Sequence, residues 1–190
     1  MTEPSRPSAA RSALVLTVSD RSFEGTRHDA SGEQLAERLA GLGFAVERQV
    51  VPDEVAAISG ALVAAAGRHR LIVTTGGTGL TPRDVTPQAT AIILDYQVPG
   101  IAEAMRADGR RSTPFAVLSR AVAGVRDGSL IVNVPGSPRG ALESLEVLVP
   151  ILDHAMETLA GPFDHPTPPD ATLSSPPSRP SPPSSASEDA

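Results

Sequence analysis

The chain contains no cysteine and no lysine, and each absence excludes a class of chemistry. Without cysteine there is no disulfide, no zinc–thiolate or iron–sulfur site and no thiol nucleophile. Without lysine there is no Walker-type phosphate loop and no Schiff base. A phosphate group would therefore have to be held by arginine, backbone N–H groups, hydroxyls or a metal ion.

Aromatic residues are also scarce, at 3% of the 190 residues, so aliphatic side chains must form the core. The formal net charge of -6 gives no electrostatic reason to expect binding to nucleic acid or to a membrane surface. No apolar run approaches the roughly 18 residues of a membrane span, and residues 1–12 lack the apolar core of a signal peptide. We therefore expect a cytoplasmic protein with neither kind of partner.

The two ends of the chain differ in composition from the middle. Residues 162–190 are rich in proline and serine, and such a segment buries too little apolar surface to offset its ordering entropy. We predict a disordered tail at 162–190, a disordered N-terminal segment at 1–12, and one folded domain at 13–161. The spacing of the prolines in the tail also suits an SH3-type ligand.

Within the domain, apolar runs of strand length alternate with helical patterns. The patterns predict strands at 13–19, 44–51, 71–75, 115–119 and 130–134, and helices at 31–42, 53–66, 86–94, 100–108 and 138–159, with Pro150 interrupting the last helix. This alternation indicates an α/β domain in which a mostly parallel sheet is covered by helices on both faces.

Polar or glycine-rich clusters follow four of the predicted strands. They are Ser19-Asp20-Arg21, Pro52-Asp53-Glu54, Thr75-Gly76-Gly77-Thr78-Gly79 and Pro135-Gly136-Ser137-Pro138. The carboxyl ends of parallel strands share one edge of a sheet, and open α/β sheets bind ligands at that edge. We therefore predict that the four clusters form a single site.

The cluster at Gly76, Gly77, Thr78 and Gly79 carries the sharpest signal. Glycines free the backbone for positive φ and for close approach to a ligand, and successive N–H groups can form an anion-binding nest. Phosphate is the ligand that this pattern favours, and Thr75 and Thr78 offer hydroxyl groups to it. The alternative is a tight turn between a strand and a helix.

Asp53 and Asp84 are the candidate metal ligands. A carboxylate beside a phosphate nest is explained if Mg²⁺ lies between them, because Mg²⁺ uses one or two carboxylates together with phosphate oxygens. Alternatively, Asp53 caps the helix that follows it. Asp84 has two alternatives to a metal-binding role: it could pair with Arg83, or it could cap the helix that begins near Thr86.

Other polar residues near the predicted edge also have two interpretations. Ser19 and Arg21 could hold a polar ligand while Asp20 orients Arg21, or the three could form a solvated loop with an internal ion pair. Ser137 could cap the last helix, bind a ligand, or do both. Asp29 is a capping signal, Arg139 suits an exposed position, and the four histidines lack metal-ligand spacing.

Six blocks, taken together, resemble the MogA/MoaB family of molybdenum cofactor biosynthesis proteins. They are VSDR (18–21), VPDE (51–54), TTGGTGLTPRDVTPQAT (74–90), DYQVPG (95–100), LSR (118–120) and NVPGSPRG (133–140). The blocks occur in the family's order, and the resemblance covers about 13–161. The same domain occurs in MoeA and gephyrin proteins.

The resemblance implies a three-layer α/β domain that forms homotrimers and transfers AMP from Mg-ATP to the phosphate of molybdopterin. Asp53 and Asp84 would be the catalytic, metal-binding pair. The residues that would hold phosphate are Gly76, Gly77, Thr78 and Gly79, and Pro135, Gly136 and Ser137 would hold the pterin side. A separate MoeA-like protein would then insert the metal.

Three alternatives to adenylyl transfer remain. The chain could be a MoaB-like protein that binds molybdopterin without catalysis. It could be a scaffold, as in the gephyrin branch, or a nucleotide pyrophosphatase similar to competence-damage proteins. Asp53 and Asp84 are both present, which favours the enzyme over the non-catalytic paralogue.

Overall fold

The computed structural model describes residues 11–161. The predicted tail at 162–190, and residues 1–10 of the segment predicted to be disordered at 1–12, lie outside this range. The strands are β1 (Ser12–Val18), β2 (Ala45–Val51), β3 (Leu71–Thr75), β4 (Tyr96–Gln97), β5 (Ala123–Arg126) and β6 (Ser129–Val134). The helices are α1 (Asp20–Phe23), α2 (Ala30–Gly41), α3 (Val55–Ala65), α4 (Thr86–Ala91), α5 (Pro99–Gly109) and α6 (Pro138–Leu159). A 3₁₀ helix spans Pro114–Leu118.

All six strands form one sheet in the order β2-β1-β3-β6-β5-β4. The four strands β2, β1, β3 and β6 are mutually parallel, and β5 and β4 extend the sheet in antiparallel fashion. This arrangement confirms the predicted mostly parallel sheet. Strands β4 and β5 were not predicted, because runs of two and four residues have no measurable periodicity.

The central strands β1, β3 and β6 are buried on both faces of the sheet, as their mostly apolar runs require. On one face, Ala13 and Val15 of β1 pack among buried residues of α2, α5 and α6. On the other face, Leu14 and Leu16 pack with residues of α3 and α4. None of the helices formed by residues 11–161 has the length and hydropathy needed to cross a bilayer.

Two predictions about secondary structure were wrong. Residues 115–119 are not a strand, because Thr113 caps a 3₁₀ turn that begins at Pro114, and Phe115 is 73% exposed. Pro150 does not interrupt α6, which runs unbroken through it. Pro150 lies on the exposed side of the helix, where water can satisfy the carbonyl group left without a donor. At the start of the domain, β1 begins at Ser12, one residue earlier than predicted.

Asp29 caps α2, as predicted, and also ties that helix to β1. Its carboxylate accepts hydrogen bonds from the N–H of Gly32 at 2.9 Å and the hydroxyl of Thr17 at 2.8 Å, and it pairs with Arg48 at 3.1 Å. The side chain is only 10% exposed. Burial raises the pKa of Asp29, but the bonds from Gly32, Thr17 and Arg48 outweigh it and leave that pKa below its ordinary value.

We expect Asp29→Asn to lower the free energy of unfolding at pH 7 by about 1 kcal/mol, because the bonds from Thr17, Gly32 and Arg48 lose their charge assistance. Since the folded-state pKa is lowered, this stabilisation is fully present above about pH 4. It is lost as the pH falls through the folded-state value. Urea unfolding of both proteins at pH 7, 5 and 3.5 checks the prediction. A difference that does not change with pH would contradict it.

Candidate functional site

The carboxyl ends of the four parallel strands meet at one edge of the sheet. Val18 at the end of β1 pairs with Val51 of β2, and Thr75 of β3 pairs with Val134 of β6. The four polar clusters therefore lie side by side, as the alternation of strands and helices predicts. The antiparallel strands β4 and β5 contribute none of them.

Gly76 and Gly77 form a left-handed turn between β3 and the loop that follows. Their φ angles are 102° and 61°, and a Cβ atom on Gly76 would lie 2.2 Å from the carbonyl oxygen of Val18. Thr86 stabilises the turn with two hydrogen bonds. Its hydroxyl donates to the carbonyl of Gly76, and its N–H donates to the carbonyl of Gly77. The N–H groups of Gly77 and Thr78 donate to no acceptor within residues 11–161. They are available to an anion.

A polar cavity of about 330 Å³ opens on one side of this turn. Seven of the predicted site residues line it: Ser19, Asp53, Thr75, Gly76, Gly77, Gly136 and Ser137. Its other polar lining was not predicted to bind a ligand and includes Thr17, Ser22, Arg27, His28, Asp29 and Ser31. The hydroxyl of Thr75 is fully buried and donates to the carbonyl of Pro135 at 2.8 Å, so it joins β3 to the β6 loop.

An apolar cavity of about 450 Å³ lies beside the polar one. Of the predicted site residues, it is lined by Thr78, Gly79, Pro135 and Ser137. Apolar side chains from α5 and the 3₁₀ helix supply much of the remaining wall, including Met105 and Phe115. Ser137 borders both cavities and also caps α6 through the N–H of Gly140, so the two roles predicted for it are compatible.

Asp53 does not cap α3, contrary to one of the two interpretations of the sequence. The capping position is Glu54, whose side chain makes no capping bond. Instead, Asp20 and Asp53 bind each other reciprocally: the N–H of Asp20 donates to Asp53 Oδ2 at 2.8 Å, and the N–H of Asp53 donates to Asp20 Oδ1 at 2.9 Å. Burial, with repulsion from Asp20 and Asp84, raises the pKa of Asp53.

Asp20 does not orient Arg21, because its second carboxylate oxygen pairs with Arg83. The bonds from Arg83 and from the N–H of Asp53 lower the pKa of Asp20. Arg21 itself is exposed and lines neither cavity. A substrate-binding role for Arg21 stays a prediction.

Asp84 neither pairs with Arg83 nor caps α4. Its Oδ2 atom accepts hydrogen bonds from the N–H and hydroxyl of Thr81, at 2.8 and 2.6 Å. Burial raises the pKa of Asp84, but the bonds from Thr81 and Gly79 and the charge of Arg120 leave it below its ordinary value. Asp84 is therefore a fixed, ionised carboxylate at neutral pH.

The two carboxylates bracket the glycine turn in a way that suits Mg²⁺. Asp53 Oδ1 lies 3.4 Å from the position of a Cβ atom on Gly77, and Asp84 Oδ2 lies 3.0 Å from that of Gly79. No group of three His, Cys, Asp or Glu side chains within residues 11–161 could enclose a metal ion. Two carboxylates beside the turn are the number that Mg²⁺ usually takes from a protein, with phosphate oxygens and water completing its shell.

Arg120 was not predicted as a site residue, although it lies in the LSR block. Its Nε atom donates to the carbonyl of Gly79 at 2.6 Å, and its Nη2 atom donates to the carbonyl of Asp84. Its backbone N–H donates to the carbonyl of Thr78 at 3.0 Å. Arg120 thus holds both ends of the loop 79–84, which carries Asp84.

The chain matches the family model described as a probable molybdopterin binding domain over residues 14–154. It is 38% identical over 154 residues to a molybdopterin adenylyltransferase of Helicobacter pylori, covering 77% of this chain and 86% of that protein. It is also 38% identical over 137 residues to the molybdopterin adenylyltransferase of Escherichia coli, covering 70% of each.

Solved structures agree with the sequence comparisons. The molybdopterin biosynthesis enzyme MoaB of Thermus thermophilus is 50% identical, with a TM-score of 0.74, covering 80% of this chain and 98% of that one. The molybdopterin biosynthesis Mog protein of Mycobacterium ulcerans is 41% identical, with a TM-score of 0.75, covering 78% and 99%. The chain therefore belongs to the MogA/MoaB family of molybdenum cofactor biosynthesis proteins.

Proposed function

We propose that this protein is a molybdopterin adenylyltransferase, which transfers AMP from ATP to the phosphate of molybdopterin. The observation that carries the proposal is the pair of carboxylates, Asp53 and Asp84, beside a glycine turn in which the N–H groups of Gly77 and Thr78 have no acceptor within residues 11–161. Relatives that are 38% identical over most of the chain are named for this activity.

In the proposed reaction, a phosphate oxygen of molybdopterin attacks the α-phosphorus of ATP. A new phosphoanhydride bond forms, the bond to the bridging oxygen breaks, and pyrophosphate leaves with that electron pair. The attacking group is already an anion, so no strong general base is required. The protein must position the two phosphates and offset their repulsion.

We assign the binding of the phosphates and the offsetting of their charge to different residues. The N–H groups of Gly77 and Thr78 bind phosphate oxygens, and Ser137 binds the pterin side from the border between the two cavities. Asp84 and Asp53 would hold Mg²⁺, which would supply positive charge to offset that of the phosphate groups. Arg120 keeps Asp84 in place through the carbonyl groups at both ends of its loop.

The two adjoining cavities suit the two substrates. A nucleotide and a phosphorylated pterin each combine a flat heterocycle with phosphate. The apolar cavity of about 450 Å³ can enclose a heterocycle, and the polar cavity of about 330 Å³ offers hydroxyls and N–H groups. Their common border at Ser137 lies next to the glycine turn, where the two phosphates must meet.

We further propose that the protein acts in the cytoplasm as a homotrimer and passes its product to a separate MoeA-like protein. The outer face of α3 supports self-association, since none of the eleven residues of this helix is charged. Val55 and Val63 on that face are 39% and 43% exposed. An uncharged, partly apolar helix face is typical of a surface that another chain covers.

We expect Val63→Glu to dissociate the oligomer, because the partner would have to bury an unpaired charge. Ile151→Glu on α6 is the matched control, since Ile151 has the same 43% exposure. Light scattering after size exclusion measures the mass of each variant. Dissociation by the control and not by Val63→Glu would place the interface on α6 and contradict the prediction.

The experiment that tests the proposed activity measures pyrophosphate release from Mg-ATP with and without molybdopterin. An adenylyltransferase releases pyrophosphate only when molybdopterin is present. Hydrolysis of ATP without the pterin would favour the pyrophosphatase alternative. Binding of molybdopterin without any release of pyrophosphate would favour the MoaB-like or scaffold alternative.

A further inference from the structure

Arg83 lies on the loop between the glycine turn and α4, and only part of its hydrogen-bonding capacity is used. Its side chain is 61% exposed, and one Nη atom pairs with the carboxylate of Asp20. The remaining guanidinium donors make no hydrogen bond to any acceptor within residues 11–161. Within residues 11–161, the Arg83 guanidinium is therefore anchored only by its ion pair with Asp20.

Asp20, by contrast, is held independently of Arg83. Its Oδ1 atom accepts the N–H of Asp53 at 2.9 Å, and its own N–H donates to Asp53 Oδ2 at 2.8 Å. Releasing Arg83 would free only Asp20 Oδ2. The carboxylate of Asp20 would therefore stay in place if the side chain of Arg83 moved away from it.

The negative charge around the glycine turn favours a cation at this position. Asp20, Asp53 and Asp84 converge there, and a nucleoside triphosphate would add further negative charge. Arg120 has fewer donors left for phosphate than Arg83, because its Nε and Nη2 atoms already donate to backbone carbonyls. The chain has no lysine, and Arg83 is on the same loop as Asp84.

We propose that Arg83 binds the β- and γ-phosphates of the nucleoside triphosphate and that Asp20 holds it in an open position until the nucleotide arrives. The proposal rests on the proposed function and names a substrate-binding residue for it. The guanidinium fork matches two phosphate oxygens at once. An exposed ion pair contributes little to stability, so little is lost when Arg83 leaves Asp20.

The test measures the affinity of the full chain for Mg-α,β-methylene-ATP, which cannot transfer AMP, and for AMP, by calorimetry without molybdopterin. We expect Arg83→Gln to weaken binding of the triphosphate analogue about ten-fold or more, because a charge-assisted contact is lost. Binding of AMP should not change, since AMP lacks both outer phosphates. Arg68→Gln is the control: Arg68 is 67% exposed, lies 3.9 Å from Glu47 and precedes β3 at the opposite end of the sheet.

Asp20→Asn provides the second arm of the test. Asparagine still accepts the N–H of Asp53 but no longer holds Arg83 by charge. We therefore expect Asp20→Asn to leave triphosphate binding intact or to tighten it a few-fold, the opposite of Arg83→Gln.

Four outcomes would overturn the proposal. Equal losses for the triphosphate analogue and AMP in Arg83→Gln would show a general structural effect. Equal losses in Arg83→Gln and Asp20→Asn would show that the ion pair itself is required. If the wild-type protein binds nucleotide and Arg83→Gln binds it equally well, this inference fails while the proposed function stands; if the wild type binds none, both fail.

Discussion

Asp84→Asn is expected to lower the rate of AMP transfer about 100- to 1,000-fold, the usual effect of removing one preorganised charge from a transition state. The variant keeps the shape of the side chain, and one oxygen can still accept the bonds from Thr81. The loop should therefore stay folded. What is lost is the negative charge that would hold Mg²⁺ beside the phosphates.

The measurement is turnover with molybdopterin and Mg-ATP, together with direct binding of molybdopterin. Asp153→Asn is the control, because Asp153 is 73% exposed and pairs with Arg11, which precedes β1 at the opposite end of the sheet from the site. Binding of molybdopterin should survive in both variants. Full turnover in Asp84→Asn would remove Asp84 from the catalytic machinery.

Gly76→Ala is expected to cost about 3 kcal/mol or more of unfolding free energy and to abolish activity, because it combines backbone strain with a steric clash. The φ angle of Gly76 is 102°, and an added Cβ atom would lie 2.2 Å from the carbonyl oxygen of Val18. The atoms of Val18 that an added Cβ would meet all belong to the backbone, so no side-chain rotation can relieve the clash. Relief therefore requires β3 and β1 to separate at the strand ends.

Gly41→Ala is the matched control for this substitution. Gly41 is the last residue of α2, and a Cβ atom there would meet nothing within 4 Å. Its stability should change by no more than about 0.5 kcal/mol. Denaturant unfolding of both variants checks the prediction, and a Gly76→Ala protein as stable as the control would contradict it.

The parts of the fold that could be predicted are those with a local signal. The runs at 13–19 and 71–75 are mostly apolar and indicate buried strands, and β1 and β3 lie there. The run at 115–119 is equally apolar but lies at the surface, because Pro114 and the cap from Thr113 favour a 3₁₀ turn. Apolar composition alone does not show whether a segment reaches the core.

In the site, hydrogen bonds between residues distant in sequence could not be predicted. An aspartate before a helix gives the same local pattern whether it caps the helix or not, so Asp53 could not be distinguished from a cap. Its actual partner is Asp20, the first residue of α1, which follows another strand. Arg83 and Arg120 were missed for the same reason, since an arginine carries no local sign of what it will bind.

The central claim is that AMP passes from ATP to molybdopterin in this protein. The most direct measurement incubates the protein with molybdopterin, Mg²⁺ and ATP labelled at the α-phosphorus, and then follows the label. We expect the label to appear on molybdopterin, with one pyrophosphate released for each AMP transferred. Bound molybdopterin that stays unlabelled, or label recovered only as free AMP, would contradict it.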